Sequence, residues 1–161
     1  GELNGLESIC HKIVSGELDF CNIQVPNPYD DSKNLDLILR LKKNPKINVE
    51  FINGYPYINI NIKLVIRVIS INKEMDFTKK ETGKKLQEEV NLYTQNLISN
   101  YLYKTSLELD SDIDGFGYHA VKYFLTADDW SNYNWSDKYK NSFFSVNVDG
   151  KIMAGNSFLD I

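Results

Sequence analysis

The chain has 161 residues, 42% of them hydrophobic and 25% charged, with a formal net charge of −4. That length suits one domain able to bury about 70% of its unfolded surface, and the composition lacks the low hydrophobicity of disordered chains. A mildly acidic balance has no general attraction for phosphate backbones, so nucleic acid is not an expected partner, and no apolar run approaches the roughly 20 residues that span a bilayer.

Gly1-Glu2-Leu3-Asn4 has no Met, basic n-region or signal-like core, and is expected to be the cut end of a longer protein. Leu6, Ile9, Cys10, Ile13 and Val14 recur at helical spacing, and Gly16 stands where a C-cap glycine belongs. A strand from Leu18 to Val25 should follow, stopped by Pro26-Asn27-Pro28. Leu35 to Leu41 reads as a second strand. Lys42-Lys43-Asn44-Pro45 interrupts it as either a turn or a bulge, and Ile47, Val49 and Phe51 alternate beyond.

Asn53-Gly54 predicts a tight hairpin, because both residues tolerate the positive φ of a type I′ turn. The clearest strand comes next: Ile58, Ile60, Ile62, Leu64, Ile66 and Val68 share one face, opposite Asn59, Asn61, Lys63 and Arg67. A long helix is expected from Phe77 to about Leu109, packing through Leu86, Val90, Tyr93, Leu97 and Tyr101. Its outer face carries Lys79, Lys80, Lys84 and Lys85, read as a solvated face diluted by nearby glutamates. A short helix from Tyr118 to Leu125, an aromatic loop and a last strand from Phe143 to Met153 complete the order. The expected class is α+β: a mainly antiparallel sheet of about four to five strands, one long helix packed across it and short helices at the edges.

The break after the long helix, Asp110-Ser111-Asp112-Ile113-Asp114-Gly115-Phe116-Gly117, resembles two functional motifs and satisfies neither. As an EF-hand it has carboxylates at positions 1, 3 and 5 and glycine at 6, but Val121 stands where the bidentate Glu should be. As a dinucleotide fingerprint, Gly115-x-Gly117-x-x-Ala120 follows a polar helix end instead of a buried strand. The expectation is therefore a helix terminus with solvated carboxylates and two turn glycines, with Ile113 and Phe116 plugging the core and no metal or cofactor bound.

His11 and His119 are far apart with no zinc-spaced cluster, and no G-x-S-x-G elbow is present. Cys10 and Cys21 are expected as buried free thiols, though a bridge between them stays open. Tyr118, Tyr123, Phe124, Trp130, Tyr133, Trp135 and Tyr139 are expected to form a satellite core under the loop. The sharper alternative makes them a partner surface through Tyr133 and Tyr139, or a site for stacking a small molecule or carbohydrate around Trp130 and Trp135.

Several strings, in order over nearly the whole chain, resemble the C-terminal domain of the Ger(x)C family, the C-subunit lipoproteins of bacterial spore germinant receptors. Gly1-Glu2-Leu3-Asn4-Gly5-Leu6 resembles the family's G-x-L-x-x-E-x-x-G-L start with a shortened spacing; Val25-Pro26 resembles the V-P closing its first strand, and Ile52-Asn53-Gly54-Tyr55-Pro56 its I-x-N-G-x-P. Most specific are Asp112-Ile113-Asp114-Gly115-Phe116-Gly117 for D-I-x-G-F-G, then Trp130, then Asn134-Trp135 with Asp137. Met153-Ala154-Gly155 departs from the paired arginines that precede T-G-L in the family, so no role of those arginines carries over.

The resemblance implies a non-enzymatic subunit, here a single domain over residues 1–161, from a parent anchored by an N-terminal lipid to the outer face of the spore inner membrane. Implied partners are an integral-membrane and a transporter-like subunit, with this fragment monomeric. Neither Cys10 nor Cys21 is the lipidated residue. Asp112, Ile113, Gly115, Phe116, Gly117, Trp130 and Trp135 are expected to be structural motif positions, not catalytic ones.

Overall fold

A computed structural model describes residues 1–27, 29–30, 33–69 and 80–153. The described elements are α1 (Gly5–Ser15), β1 (Cys21–Pro26), β2 (Asn34–Ile52), β3 (Tyr55–Val68), α2 (Lys80–Leu107), α3 (Phe116–Ala120), a 3₁₀ turn (Val121–Tyr123), α4 (Ala127–Tyr133), α5 (Trp135–Tyr139) and β4 (Phe143–Ile152). The sequence expectations for Pro28, Lys79, the side chain of Lys80, a helix start at Phe77 and the Ala154-Gly155 string lie outside the described residues.

The four strands form one sheet in the order β1-β2-β3-β4. β1, β2 and β3 are antiparallel neighbours, while β4 runs parallel to β3. The long connection between β3 and β4 carries all the later helices, as a parallel pairing demands. The Lys42–Pro45 interruption is a bulge: β2 continues through it, with register shifts between Leu41 and Lys43 and between Lys43 and Lys46. The hairpin into β3 has Asn53 at φ 53° and Gly54 at φ 80°, the two positive angles of a type I′ turn.

One sheet face is dry. Ile23, Val25, Leu35, Leu37, Leu39, Val49, the even-numbered apolar residues from Ile58 to Ile66, Val146 and Val148 are all buried. α2, about 42 Å long at 1.5 Å per residue, lies over the β4 side of that face. It buries Leu86, Val90, Thr94, Ile98, Tyr101, Leu102 and Thr105. Tyr93 and Leu97 only flank that stripe. The expected line holds at Leu86, Val90 and Tyr101 but falls one position off between them, where Thr94 and Ile98 are buried in place of Tyr93 and Leu97, because a threonine takes a core position that apolar patterning passes over.

α2 also seals the sheet edge. Asn91 Oδ1 accepts from Gly150 N–H (2.9 Å), and Gln87 Oε1 accepts from Ile152 N–H (3.3 Å). These side chains satisfy outward-pointing groups of β4 that an edge strand otherwise leaves open. A Cβ on Gly150 would stand 2.5 Å from Ile66 Cδ1 and 2.6 Å from Asn91 Oδ1, so this close approach needs glycine.

α1 covers a further part of the dry face with Cys10, Ile13 and Val14, and α3 with its ring cluster covers the hairpin end. An Asn4–Glu7 capping box starts the helix and Gly16, at φ 81°, ends it. Lys104 of α2 reaches Glu7 at 2.8 Å. Cys10 and Cys21 are free thiols, and burial pushes Cys10 up to about 12.

Candidate functional site

The segment joining α2 to α5 is organised by Asp112. Its Oδ1 accepts from Phe116 N–H (2.9 Å), and its Oδ2 accepts from Gly117 N–H (2.7 Å) and Trp135 Nε1–H (2.8 Å). Gly115 stands at the N-cap of α3 with no side chain to cap it, so Asp112 supplies the missing acceptors for the first turn. Gly115 sits at φ 73°, where a side chain would be strained. A Cβ at Gly117 would lie 3.0 Å from Trp135 Nε1, so glycine is what lets the indole reach the carboxylate.

Asp114 has a fully buried side chain. Its Oδ1 is 2.9 Å from His11 Nδ1 and accepts from the Tyr101 hydroxyl at 3.1 Å; its Oδ2 has no hydrogen-bond partner among the described residues. This cluster ties α1, α2 and the loop together. Burial raises the Asp114 carboxyl to about 6, against the lowering influence of His11 and Tyr101. The expectation of solvated carboxylates is therefore corrected. Two of these three acids turn inward because the loop's N–H groups and His11 offer donors that solvent would otherwise supply.

The same geometry bears on calcium. Both Asp112 oxygens accept from N–H donors and Asp114 Oδ1 lies against His11 and Tyr101, which leaves this loop few carboxylate oxygens to offer a cation. Among the described residues, no group of three or more His, Cys, Asp or Glu side chains could hold a metal ion.

Phe116 is fully buried and stacks on Tyr139 (6.3 Å between centroids). Ile113, expected beside it in the core, is instead 37% exposed. The tight Asp112–Gly115 turn directs Asp114 inward at that point and leaves Ile113 outside.

From Tyr139 a chain of rings runs through Trp135 (6.0 Å), Trp130 (5.6 Å) and Phe124 (5.1 Å) to Phe51 on β2 (5.5 Å). Tyr133 joins edge-on to Phe51, and its hydroxyl donates to the Gly54 carbonyl (3.0 Å). This is a satellite core that clamps the connection to the hairpin. Tyr139 is corrected as a partner-surface residue: it is 1% exposed, with its hydroxyl 2.9 Å from Thr105 Oγ1. Tyr118, expected within the ring group, is 87% exposed.

The stretch expected as an aromatic loop is two short helices. Thr126 and Asp129 form a capping box at the start of α4, and Asn134, at φ 53°, hands α4 over to α5. Thr126-x-x-Asp129 was the legible signal for that start.

Sequence reasoning did not find the His11–Asp114–Tyr101 cluster, since His11 and Asp114 are 103 residues apart. As chemistry it is poorly set for nucleophilic attack. Burial holds both the Tyr101 phenol and the Cys10 thiol well above their usual pKa, the wrong direction for a nucleophile.

A search of curated proteins found no match. Among solved structures, one titled "Crystal Structure of the GerBC protein" superposes with a TM-score of 0.75 at 16% identity. The match covers 96% of this chain and 47% of that one, so this chain spans about half the length of its structural neighbour. The two share a fold. The family described as "Spore germination B3/ GerAC like, C-terminal" matches residues 1–155, and the chain belongs to that family.

Proposed function

We propose that this chain is a non-catalytic part of a germinant-receptor C-subunit, a rigid protein-interaction module needed for nutrient-triggered spore germination. The family match over residues 1–155 is the observation that carries the reading. The use of Asp112 and its glycines for local architecture supports the non-catalytic half. In this reading residues 1–161 form one domain of a longer lipoprotein, anchored through its N-terminal lipid to the outer face of the spore inner membrane. Its partners are the integral-membrane and transporter-like receptor subunits.

The test is genetic and biochemical together. Spores lacking the gene should fail to lose optical density after nutrient addition, and restoring the gene should restore the response. Retained germination in the deletion strain counts against the receptor role. Turnover of a substrate by the purified protein counts against the absence of catalysis.

One observation favours a second reading, a ligand- or peptidoglycan-binding domain. A hollow of about 360 Å³, lined by Asp112, Gly115, Gly117, Tyr118, Val121 and Trp130, opens beside the exposed Tyr118 ring. Isothermal titration with muropeptides separates the two: binding lost on Tyr118→Ala supports the glycan reading, and no heat of binding removes it.

A further inference from the structure

α1 and α2 cover one face of the sheet, and the opposite face has a different character. By strand register it displays Arg40, Lys43, Lys46, Lys63, Arg67 and Lys151. Against these six cations stand three carboxylates among the described residues of the strands: Asp36, Glu50 and Asp149. Among the described strand residues, a chain of net charge −4 thus turns a positive surplus to this sheet face.

The acids sit at the margins. Asp149 lies between Lys63 (3.6 Å) and Lys151 (3.2 Å). Asp36 accepts from Gln24 at one end, and Glu50 accepts from Asn48 towards the other. From Arg40 through Lys43 to Lys46, no acidic residue interrupts β2. At the head of this run Arg40, Arg67, Ile38, Asp19 and Phe20 enclose a concavity of about 460 Å³, with Phe20 70% exposed at its lip.

We propose that this face docks an acidic segment of a partner protein. Its carboxylates would pair with the β2 cations Arg40, Lys43 and Lys46, and one of its apolar side chains would lie against Phe20 at the lip of the hollow that Asp19, Arg40 and Arg67 line. The idea rests on the receptor-subunit reading and names the face and partner chemistry within it.

Charge complementarity selects the occupant, since guanidinium forks match carboxylates in a bidentate geometry. A lipid surface fits less well. The middle of the face is Asn59, Asn61, Ser145 and Asn147, with Asn147 Nδ2 donating to Asn61 Oδ1 at 3.3 Å. Those amides can hydrogen-bond a peptide, whereas interfacial binding calls for a band of inserting apolar side chains, of which this face offers Phe20 at one margin.

The test uses fluorescence anisotropy on the full chain with a fluorescein-labelled Asp/Glu-rich peptide containing one Phe. Its Asn/Gln counterpart and phosphatidylglycerol–phosphatidylcholine vesicles serve as comparison probes. The acidic peptide should bind at low salt, and the triple variant Arg40→Glu, Lys43→Glu, Lys46→Glu should weaken it at least about tenfold. Lys84→Glu with Lys85→Glu, on the outer side of α2, should leave it unchanged. Absence of binding, equal loss in both variants, or a preference for vesicles overturns the proposal.

Spores separate its failure from that of the receptor reading. If deletion abolishes germination while the triple variant germinates normally, the docking face is wrong and the subunit reading stands. If deletion spores germinate normally, the receptor reading falls.

Discussion

Asp112 makes three hydrogen bonds from a partly exposed carboxylate, two to backbone and one to an indole. Bonds to a charged acceptor contribute about 1.5–3 kcal/mol each at most and are not additive here, since they share one side chain. Asp112→Ala should cost about 2–4 kcal/mol in urea unfolding, and Asp112→Asn less, because one acceptor oxygen remains. Trp135→Ala should cost about 3–5 kcal/mol, as for other large aromatics in a packed cluster. Tyr118→Ala should stay within about 0.5 kcal/mol. A comparable loss at Tyr118 would mean the exposed ring has a structural partner.

Asp114 makes an opposite kind of prediction. Its folded pKa is raised to about 6 from an ordinary 3.8, so the folded state holds its proton over a range where the unfolded chain has released it. Stability from this group is therefore fully present below about pH 4 and falls as pH rises through about 6, by on the order of 2–3 kcal/mol. Most carboxylates with perturbed pKa slope the other way. Urea midpoints measured from pH 4 to 7 should show the difference between the protein and Asp114→Asn changing across that window. A constant difference would mean Asp114 is ionised throughout.

At the scale of elements, the β4 edge shows how helix and sheet are matched. Gly150→Ala would force Ile66 and Asn91 apart, and should destabilise by about 1–3 kcal/mol as overpacked cores do. Thermal unfolding checks this, and an unchanged midpoint would show that α2 can retreat from β4 freely. Period-two patterning exposed β3, and Asn53-Gly54 exposed the hairpin, because both are local signals. The bulge at Lys42–Pro45 was open between two readings, and pairing partners on β3 decided it. The parallel direction of β4 was not readable at all. Alternating valines specify a half-buried strand, but not which neighbour it joins or which way it runs.

For the whole molecule, α1 is one of the covers of the dry face. Removing residues 1–16 would expose the sheet and α2 surfaces that now bury Cys10, Ile13 and Val14. Burial of such side chains contributes about 1.5–3 kcal/mol each, a loss comparable to a typical net stability of about 5–15 kcal/mol. The truncated chain should bind a hydrophobic dye and lose its sharp unfolding transition. Cooperative unfolding at an unaltered midpoint would show that α1 is an appendage.

By itself the sequence determined the strand faces, the long helix, the hairpin and the glycine positions of the loop, because each follows from periodicity or from backbone angles within a few residues. It also carried the family resemblance through strings that are local in the chain. Only the tertiary structure decided that Asp112 would hold Trp135, that Asp114 would meet His11 across 103 residues, and that Tyr139 would be core while Tyr118 stayed outside. Those outcomes depend on which surfaces meet after the chain returns to the sheet. Contacts between distant segments leave no period in the residues that make them.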